Sequence, residues 1–507
     1  MYCKLGYGLK PQSERRGVTR ILVPSDGRAP KQAKKWKEIT DQQEIRDHMQ
    51  SHLICHFNQA AGTPFTISDL ANLQWNGQGE VADQILAGTY KYQYNHNDRA
   101  AKEVVQWFIY EFIQESELPP ISLEFLEEHM ISKYKNWKET TSTSPFTDRY
   151  LGQYQCLIRH ILDAPPEERE DPNSEYHQAQ HLLQIHHKIL VLAEGCYGNR
   201  KGLSAHDPIF LENLQISIGY SSRTNQATDD RDAAACYDRQ HPGIVNLCAR
   251  RMGMPKEILG ITAQTLEESK YHISTADGIA EEHYSHTSQT RVYGTGQGST
   301  LSPSAWALVC SQLFKTHKKH AIGSVYINPD GTLRVELDMS GFVDDTKGHT
   351  NDMDFETSLA AEALRKRLEH DAQLWSDLLW VAGGQLEHSK SYFYMMIWEF
   401  DDDGTPYLKD CTHEQMELWN FHRTAVTAVE CKKNDESRRT LGVFHSLGRD
   451  RAMAAEEILT KTDKFVEKFR GISCTPREAT VAYHSFFMPS GMHYTIQCSI
   501  PRYCIRS

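Results

Sequence analysis

The chain has 507 residues, of which 39% are hydrophobic and 24% charged, and a formal net charge of -12. That length accommodates several subdomains, each with its own packed core, and the composition excludes a disordered or fibrous chain. No apolar run approaches the length of a membrane span and no signal-peptide core stands at the N-terminus, so the expectation is an intracellular protein without a membrane, nucleus or cytoplasm left open. The 12 cysteines include no C-x-x-C pair and read as reduced, mostly buried thiols. A negative total weighs against nucleic-acid binding, because phosphate contacts require Lys and Arg, so local chemistry has to decide.

The first segment, residues 1–40, is basic: Arg15, Arg16, Arg20, Arg28, Lys31, Lys34, Lys35 and Lys37 crowd it. It reads as an arm able to track a phosphate backbone or, equally, as a solvated tail. Residues 41–175 read as a helical extension. Ile45, Met49, Leu53 and Phe57 recur at helical spacing, and Ala101 to Phe112 and Leu123 to Tyr134 predict further amphipathic helices. A polar region with Pro165-Pro166 then leads to His177 and His181, four apart as zinc ligands can be. With no Glu in the zincin position and no cysteine partner, a surface helix is the better reading.

Between Gly198 and Val443 short apolar strands alternate with helices and glycine loops, which predicts an α+β core. Thr332 to Met339 alternates like a strand and runs into Gly341-Phe-Val-Asp-Asp-Thr346, predicting a hairpin around the acids. Ser358 to Trp380 has the stripe of a long helix, Gly383-Gly384 ends it, and Ser391 to Phe400 predicts the next strand. Trp375, Trp380 and Trp398 have the apolar spacing of core residues. Ala452 to Phe469 is again helical.

Three places carry candidate chemistry. Asp344-Asp345 follows a strand; adjacent carboxylates repel until a cation neutralises them, although acid pairs in surface turns are common. Asp232 precedes Ala-Ala-Ala-Cys-Tyr237-Asp238, where a helix N-cap is the plainer alternative. Gly294-Thr-Gly-Gln297-Gly298, followed by Leu301-Ser302-Pro303, presents backbone amides ahead of a helix capped by Ser302, or is merely a turn.

Their order along the chain resembles the reverse transcriptase family, specifically its non-LTR retroelement branch. Gly198-Asn-Arg200-Lys-Gly202-Leu-Ser204-Ala-His-Asp207 is similar to the family's G-x-R-x-G-x-S-x-x-D segment. Asp232 with Tyr237-Asp238 matches D-x4-[FY]-D, and Gln297-Gly298-x-x-Leu301-Ser302-Pro303 matches Q-G-x-x-L-S-P. Phe342-Val343-Asp344-Asp345 matches [FY]-x-D-D, Gly383 with Lys390 matches G-x6-K, and Thr440-Leu-Gly-Val443 resembles the primer-grip strand.

The resemblance implies a right-hand polymerase fold: a palm with an antiparallel sheet backed by helices (224–430), partial fingers (176–223), and a primer-grip strand with an incomplete thumb (431–507). It implies RNA-directed DNA polymerase activity, in which two Mg2+ ions (Mn2+ as a substitute) about 4 Å apart activate the primer hydroxyl and hold the pyrophosphate. Asp232 and Asp344 would ligate them with Asp345 alongside. Tyr237 would be the steric gate against a 2'-hydroxyl, Gln297 and Gly298 would line the template base and incoming nucleotide, and Lys390 would protonate the pyrophosphate. Arg200 would approach phosphates or serve a structural salt bridge. The implied partners are an RNA template, a DNA primer and dNTPs.

Three departures set expectations of their own. The fingers strand that carries an arginine for the triphosphate is not found between Glu167 and Leu192. The strand before Asp232 reads Thr224-Asn-Gln-Ala-Thr-Asp-Asp230, a poor buried strand. The chain ends where a thumb would be forming. A catalytically inactive, retroelement-derived protein that at most binds nucleic acid is therefore the alternative.

Overall fold

The computed structural model describes residues 18–25, 34–91, 96–113, 196–197, 204–254, 256–275, 277–287, 290–295, 302–355, 358–441, 443–448, 452–470 and 475–487. The part of the basic segment within this range is not a free tail. β1 (Ile21–Pro24) and β2 (Trp36–Ile39) pair antiparallel, and Ile21 and Ile39 are buried against Ile45 of helix α1 (Gln42–Phe57). Its cations are partly engaged, Arg20 with Glu38 at 3.1 Å and Lys37 with Glu44 at 2.8 Å.

Helix α1 begins where the Asp41 carboxylate accepts the Glu44 amide, and α3 (Arg99–Tyr110) begins where Asp98 accepts the Ala101 amide, both at 2.8 Å. Between them lie short turns at Pro64–Ile67 and Asp69–Leu73 and helix α2 (Glu80–Leu86). The apolar face of α3 (Val104, Val105, Phe108, Ile109) joins the same core as the residues after Cys196. The helix expected at Leu123 to Tyr134, the site of the missing fingers strand, and His177 and His181 lie outside the described residues.

The centre is a four-stranded antiparallel sheet in the order β10 (Tyr392–Met396), β3 (Gln226–Asp232), β9 (Asp345–Asn351), β8 (Met339–Phe342). The polar stretch read as a poor buried strand is therefore an interior strand of this sheet. It can be one because its charges are met: the Asp229 carboxylate accepts Arg231 Nε at 2.6 Å and the Gly348 amide at 2.9 Å.

Register and strand alternation divide the sheet into two faces. Phe393, Met395, Ala227 and Met339 face helices α7 (Ser302–His320) and α8 (Ala361–Val381), where Trp375 is fully buried. The opposite face carries Tyr394, Asp230, Asp232, Asp345 and Lys347 and is covered in part by α4 (His206–Ser222). Helices α5 (Pro242–Arg251) and α6 (Lys256–Glu267) follow β3, and the β4–β5 hairpin (Lys270–Thr275, Gly278–Ser285) follows α6.

Three expected strands are interrupted. Thr332 to Met339 is split: β7 (Arg334–Leu337) pairs with β6 (Ser324–Ile327), while β8 belongs to the central sheet. The break falls at Asp338, whose carboxylate meets the buried His317 ring at 2.6 Å and whose carbonyl accepts the His349 amide at 2.9 Å. Ser391 to Phe400 divides into β10 and β11 (Trp398–Phe400), the Trp398 amide donating to the Asn225 side chain at 2.8 Å. β11 pairs with β12 (Pro406–Leu408), and the β13–β14 hairpin (Gln415–Trp419, Val426–Glu430) follows it. The primer-grip match is a hairpin, β15 (Arg438–Thr440) with β16 (Val443–His445), Leu441 turning it at φ 49°. Helices α9 (Ala452–Arg470) and α10 (Pro476–Ala482) close the described chain.

Gly383 and Gly384 end α8 as expected, with Gly383 at φ 96° and its amide donating to Trp380. Cys196, Cys236, Cys248, Cys310, Cys411 and Cys431 are buried, and Cys55 is exposed. Among the described residues no helix is long and apolar enough to cross a membrane.

Candidate active site

Strand pairing assembles the acids. Asp232, the last residue of β3, lies opposite Asp345, the first residue of β9. Directly opposed residues project on one face, so two like charges meet there at a cost that a cation would remove. Asp344 stands in the two-residue turn that joins β8 to β9, its carbonyl accepting the Ala233 amide at 3.4 Å. The residue before it, Val343, has φ 61°, an outlier for a β-branched side chain. Such strain persists only where the surroundings enforce it, and here the Trp306 indole donates to the Val343 carbonyl at 2.6 Å.

The charges register one another. Burial pushes the Asp344 carboxyl up, and the nearby Asp232 charge adds to it. Asp345 is pushed up to about 6, by burial first and then by Asp344, Asp232 and Asp230. Carboxyls raised by burial and by one another's charge in one cleft make these acids candidates for a functional site.

Asp232 is not followed by a helix, as the N-cap alternative required. Residues 233–238 turn tightly, with Ala235 at φ 50° and the Asp238 amide donating to the Ala235 carbonyl at 2.9 Å. This places Tyr237 half-buried beside the acids; burial, then Cys236 and Asp344, push its hydroxyl up to about 12.

Two glycines let other segments dock on this turn. Gly294 (φ 94°) lies so close that an added Cβ would sit 2.6 Å from the Asp238 backbone. The following Thr295 amide donates to the Tyr237 carbonyl at 2.9 Å. Gly383 would likewise place a Cβ 2.7 Å from the Arg239 carbonyl. Past Gly383, Leu386 bridges Ala233 and the Glu387 amide donates to the Asp232 carbonyl at 2.8 Å. The Lys390 ammonium thereby reaches the Asp232 carboxylate and pairs with it.

Asp232, Asp344, Asp345, Tyr237 and Lys390 are thus brought together from β3, the β8–β9 turn and the segment after α8. The start of the glycine loop stands beside them, and the Ser302 hydroxyl donates to the Thr295 carbonyl at 3.1 Å. Gln297, Gly298 and Arg200 lie outside the described residues. The sequence reading missed Glu212, Asp230, Lys347 and Thr440, which surround Asp345 on the same face, and His56, whose ring meets the Asp238 carboxylate at 3.0 Å. Asp230 and Lys347 were findable, each being two residues from a predicted acid on a strand and therefore on its face.

Among the described residues no three His, Cys, Asp or Glu side chains are gathered closely enough to form a complete metal cage. Mg2+ does not require one: it binds through one or two carboxylates and takes its other oxygens from water and substrate phosphates. The Asp232 and Asp344 carboxylates fit that demand, provided Lys390 yields its hold on Asp232.

No protein-family profile and no curated protein matches the chain. Solved structures similar to it include apo telomerase of Candida tropicalis truncated from its C-terminal domain, with 12% identity and a TM-score of 0.32 over 59% of this chain and 50% of that one. Telomerase of the same organism in complex with a fragment of telomeric RNA has 13% identity and a TM-score of 0.31, over 74% and 52%. The chain spans about half the length of these telomerases, and likeness at this level assigns neither family nor activity.

Proposed function

We propose that this chain is an RNA-directed DNA polymerase of the retroelement reverse transcriptase kind, its β3–β9–β8 strand ends serving as the palm. The observation that carries the reading is the convergence of Asp232, Asp344, Asp345, Tyr237 and Lys390, far apart in sequence, in the motif order of that family. When bound, Mg2+ would supply activation of the primer hydroxyl and charge neutralisation at the pyrophosphate. The Asp232 and Asp344 carboxylates would hold it, with Asp345 adding negative charge beside them. The Tyr237 ring, fixed by the tight turn and the loop docked on its carbonyl, closes the space a ribose 2'-hydroxyl would need. Lys390 Nζ, within reach of Asp232, delivers a proton to the departing pyrophosphate oxygen. RNA template, DNA primer and dNTPs are the partners of this reading.

Primer extension on an RNA template with Mg2+ tests it. Asp344→Asn and Asp232→Asn should each cut extension at least about a thousandfold, or roughly 4 kcal/mol of transition-state stabilisation. A folded wild-type chain that extends no primer refutes the activity. The Lys390–Asp232 pair favours a second reading, an inactive chain that binds nucleic acid, because the lysine takes an oxygen that a metal needs. Salt-dependent hybrid binding, unchanged by Asp344→Asn and without extension, would establish that reading instead.

A further inference from the structure

We propose that Lys347, Asp230 and Thr440 are positioning residues, forming with Glu212 a buried polar clamp that fixes helix α4 and the β15–β16 hairpin against the strand bearing Asp345. The Lys347 ammonium lies 2.6 Å from Glu212 and 3.3 Å from Asp230, and all three side chains are buried or nearly so. The Thr440 hydroxyl donates to the Asp230 carboxylate at 3.2 Å. Its one proton committed there, it accepts from the Tyr392 hydroxyl, also at 3.2 Å.

Three elements distant in sequence thus meet at one ammonium, α4 through Glu212, β3 through Asp230 and β9 through Lys347 itself, and the hairpin joins them through Thr440 on the Asp230 carboxylate. Apolar contacts run alongside, Leu441 and Phe444 of the hairpin and Ile458 of α9 packing on Ile209 of α4. Asp345 lines the same narrow cleft as Lys347, Glu212 and Thr440.

Such a cluster is a poor device for stability. Two carboxylates share one cation, and an apolar substitute of similar volume would cost less desolvation. What it supplies is direction. Each hydrogen bond has a preferred line, and together they allow one placement of the hairpin relative to β9, whereas Leu441 and Phe444 alone would tolerate sliding. The consequence for catalysis rests on the polymerase reading, in which that hairpin holds the primer end beside the carboxylates.

The test uses the full chain with Thr440→Val, which keeps shape and loses only the hydroxyl, and Thr440→Ser as the rescue. Amide exchange should quicken at least about tenfold in β15–β16 for Thr440→Val, with β3 and β9 unchanged and Thr440→Ser close to wild type. Primer extension should show kcat reduced about five- to tenfold in Thr440→Val, with KM for primer–template near wild type and recovery in Thr440→Ser. Unchanged exchange in the hairpin, or a uniform acceleration that includes β3 and β9, overturns the clamp. A wild type that extends no primer would remove the polymerase reading, while the exchange comparison would still decide the clamp.

Discussion

The two faces of the central sheet solve the same burial problem by opposite chemistry. Toward α7 and α8, Phe393, Met395, Ala227 and Met339 meet Trp375, Leu364, Leu368 and Phe314, with Arg231 and Asp229 as an internally paired exception. Toward α4, the strands present Asp230, Asp232, Asp345 and Lys347. The apolar face holds the sheet to its helices through non-directional packing, which tolerates some repacking. On the polar face the paired groups depend on partners far away in sequence, Lys347 on Glu212 135 positions away and Asp230 on Thr440 210 positions away, so it fixes placement and tolerates little. Strength is concentrated on one side and precision of placement on the other.

Trp375→Ala is the heaviest test of that division. The indole is completely buried between α8 and the sheet, with its edge against Phe314. Its removal should cost about 3–5 kcal/mol in denaturant unfolding. On the proposed polymerase reading, the molecules that remain folded should keep the wild-type affinity for an RNA–DNA hybrid. Loss of affinity per folded molecule would mean the apolar side also sets the geometry of the polar one.

Lys347→Met makes the reverse cut. It leaves Glu212 and Asp230 buried without their cation, and breaking such a cluster costs about 3–5 kcal/mol. The lower end, about 3 kcal/mol, is expected here. Burial already raises the Asp230 carboxyl, and a protonated acid escapes part of the penalty. Adding Glu212→Gln should restore at least half of the loss in urea titrations. If the double variant is no more stable than Lys347→Met, the cation was not neutralising Glu212.

The same division explains what the sequence disclosed. The helix at 361–381 and its glycine stop were legible because a local apolar stripe and a local turn residue specify them. The hairpin around Asp344-Asp345 was legible for a similar reason. β3 was not: Thr-Asp-Asp-Arg-Asp reads as solvated because strand propensity reflects fit to a half-buried surface. Asp229 and Arg231 pair with each other, and Asp230 and Asp232 are met by Lys347 and Lys390, which only the fold brings near. The breaks at Asp338 and Ile397 escaped notice likewise, since the groups that cause them, His317 and Asn225, lie on other elements. The resemblance, through the order of its motifs, grouped Asp232, Tyr237, Asp344, Asp345 and Lys390 as one expected site, whereas Lys347 belongs to none of those motifs.

The smallest effect expected is also the most specific to the polar face. Asp345 is pushed up to about 6 in the folded chain, against about 4 for an unfolded aspartate. The native state therefore holds a proton between those values that the unfolded state has released. Stability must fall as pH rises through that window and recover as pH is lowered through it. The penalty is fully present above pH 6 and absent below about pH 4. The gap between the folded and unfolded values corresponds to on the order of 2–3 kcal/mol, and partial exposure of the carboxyl argues for the lower figure. Asp345→Asn removes the charge without changing shape. It should be about 2 kcal/mol more stable than wild type at pH 7.5 and indistinguishable from it near pH 4, measured by urea unfolding across the range. A difference that does not vary with pH would mean that neither burial nor its neighbours' charge perturbs the Asp345 carboxyl in the folded chain. The polar face would then be as settled as the apolar one, with no unmet demand for a cation.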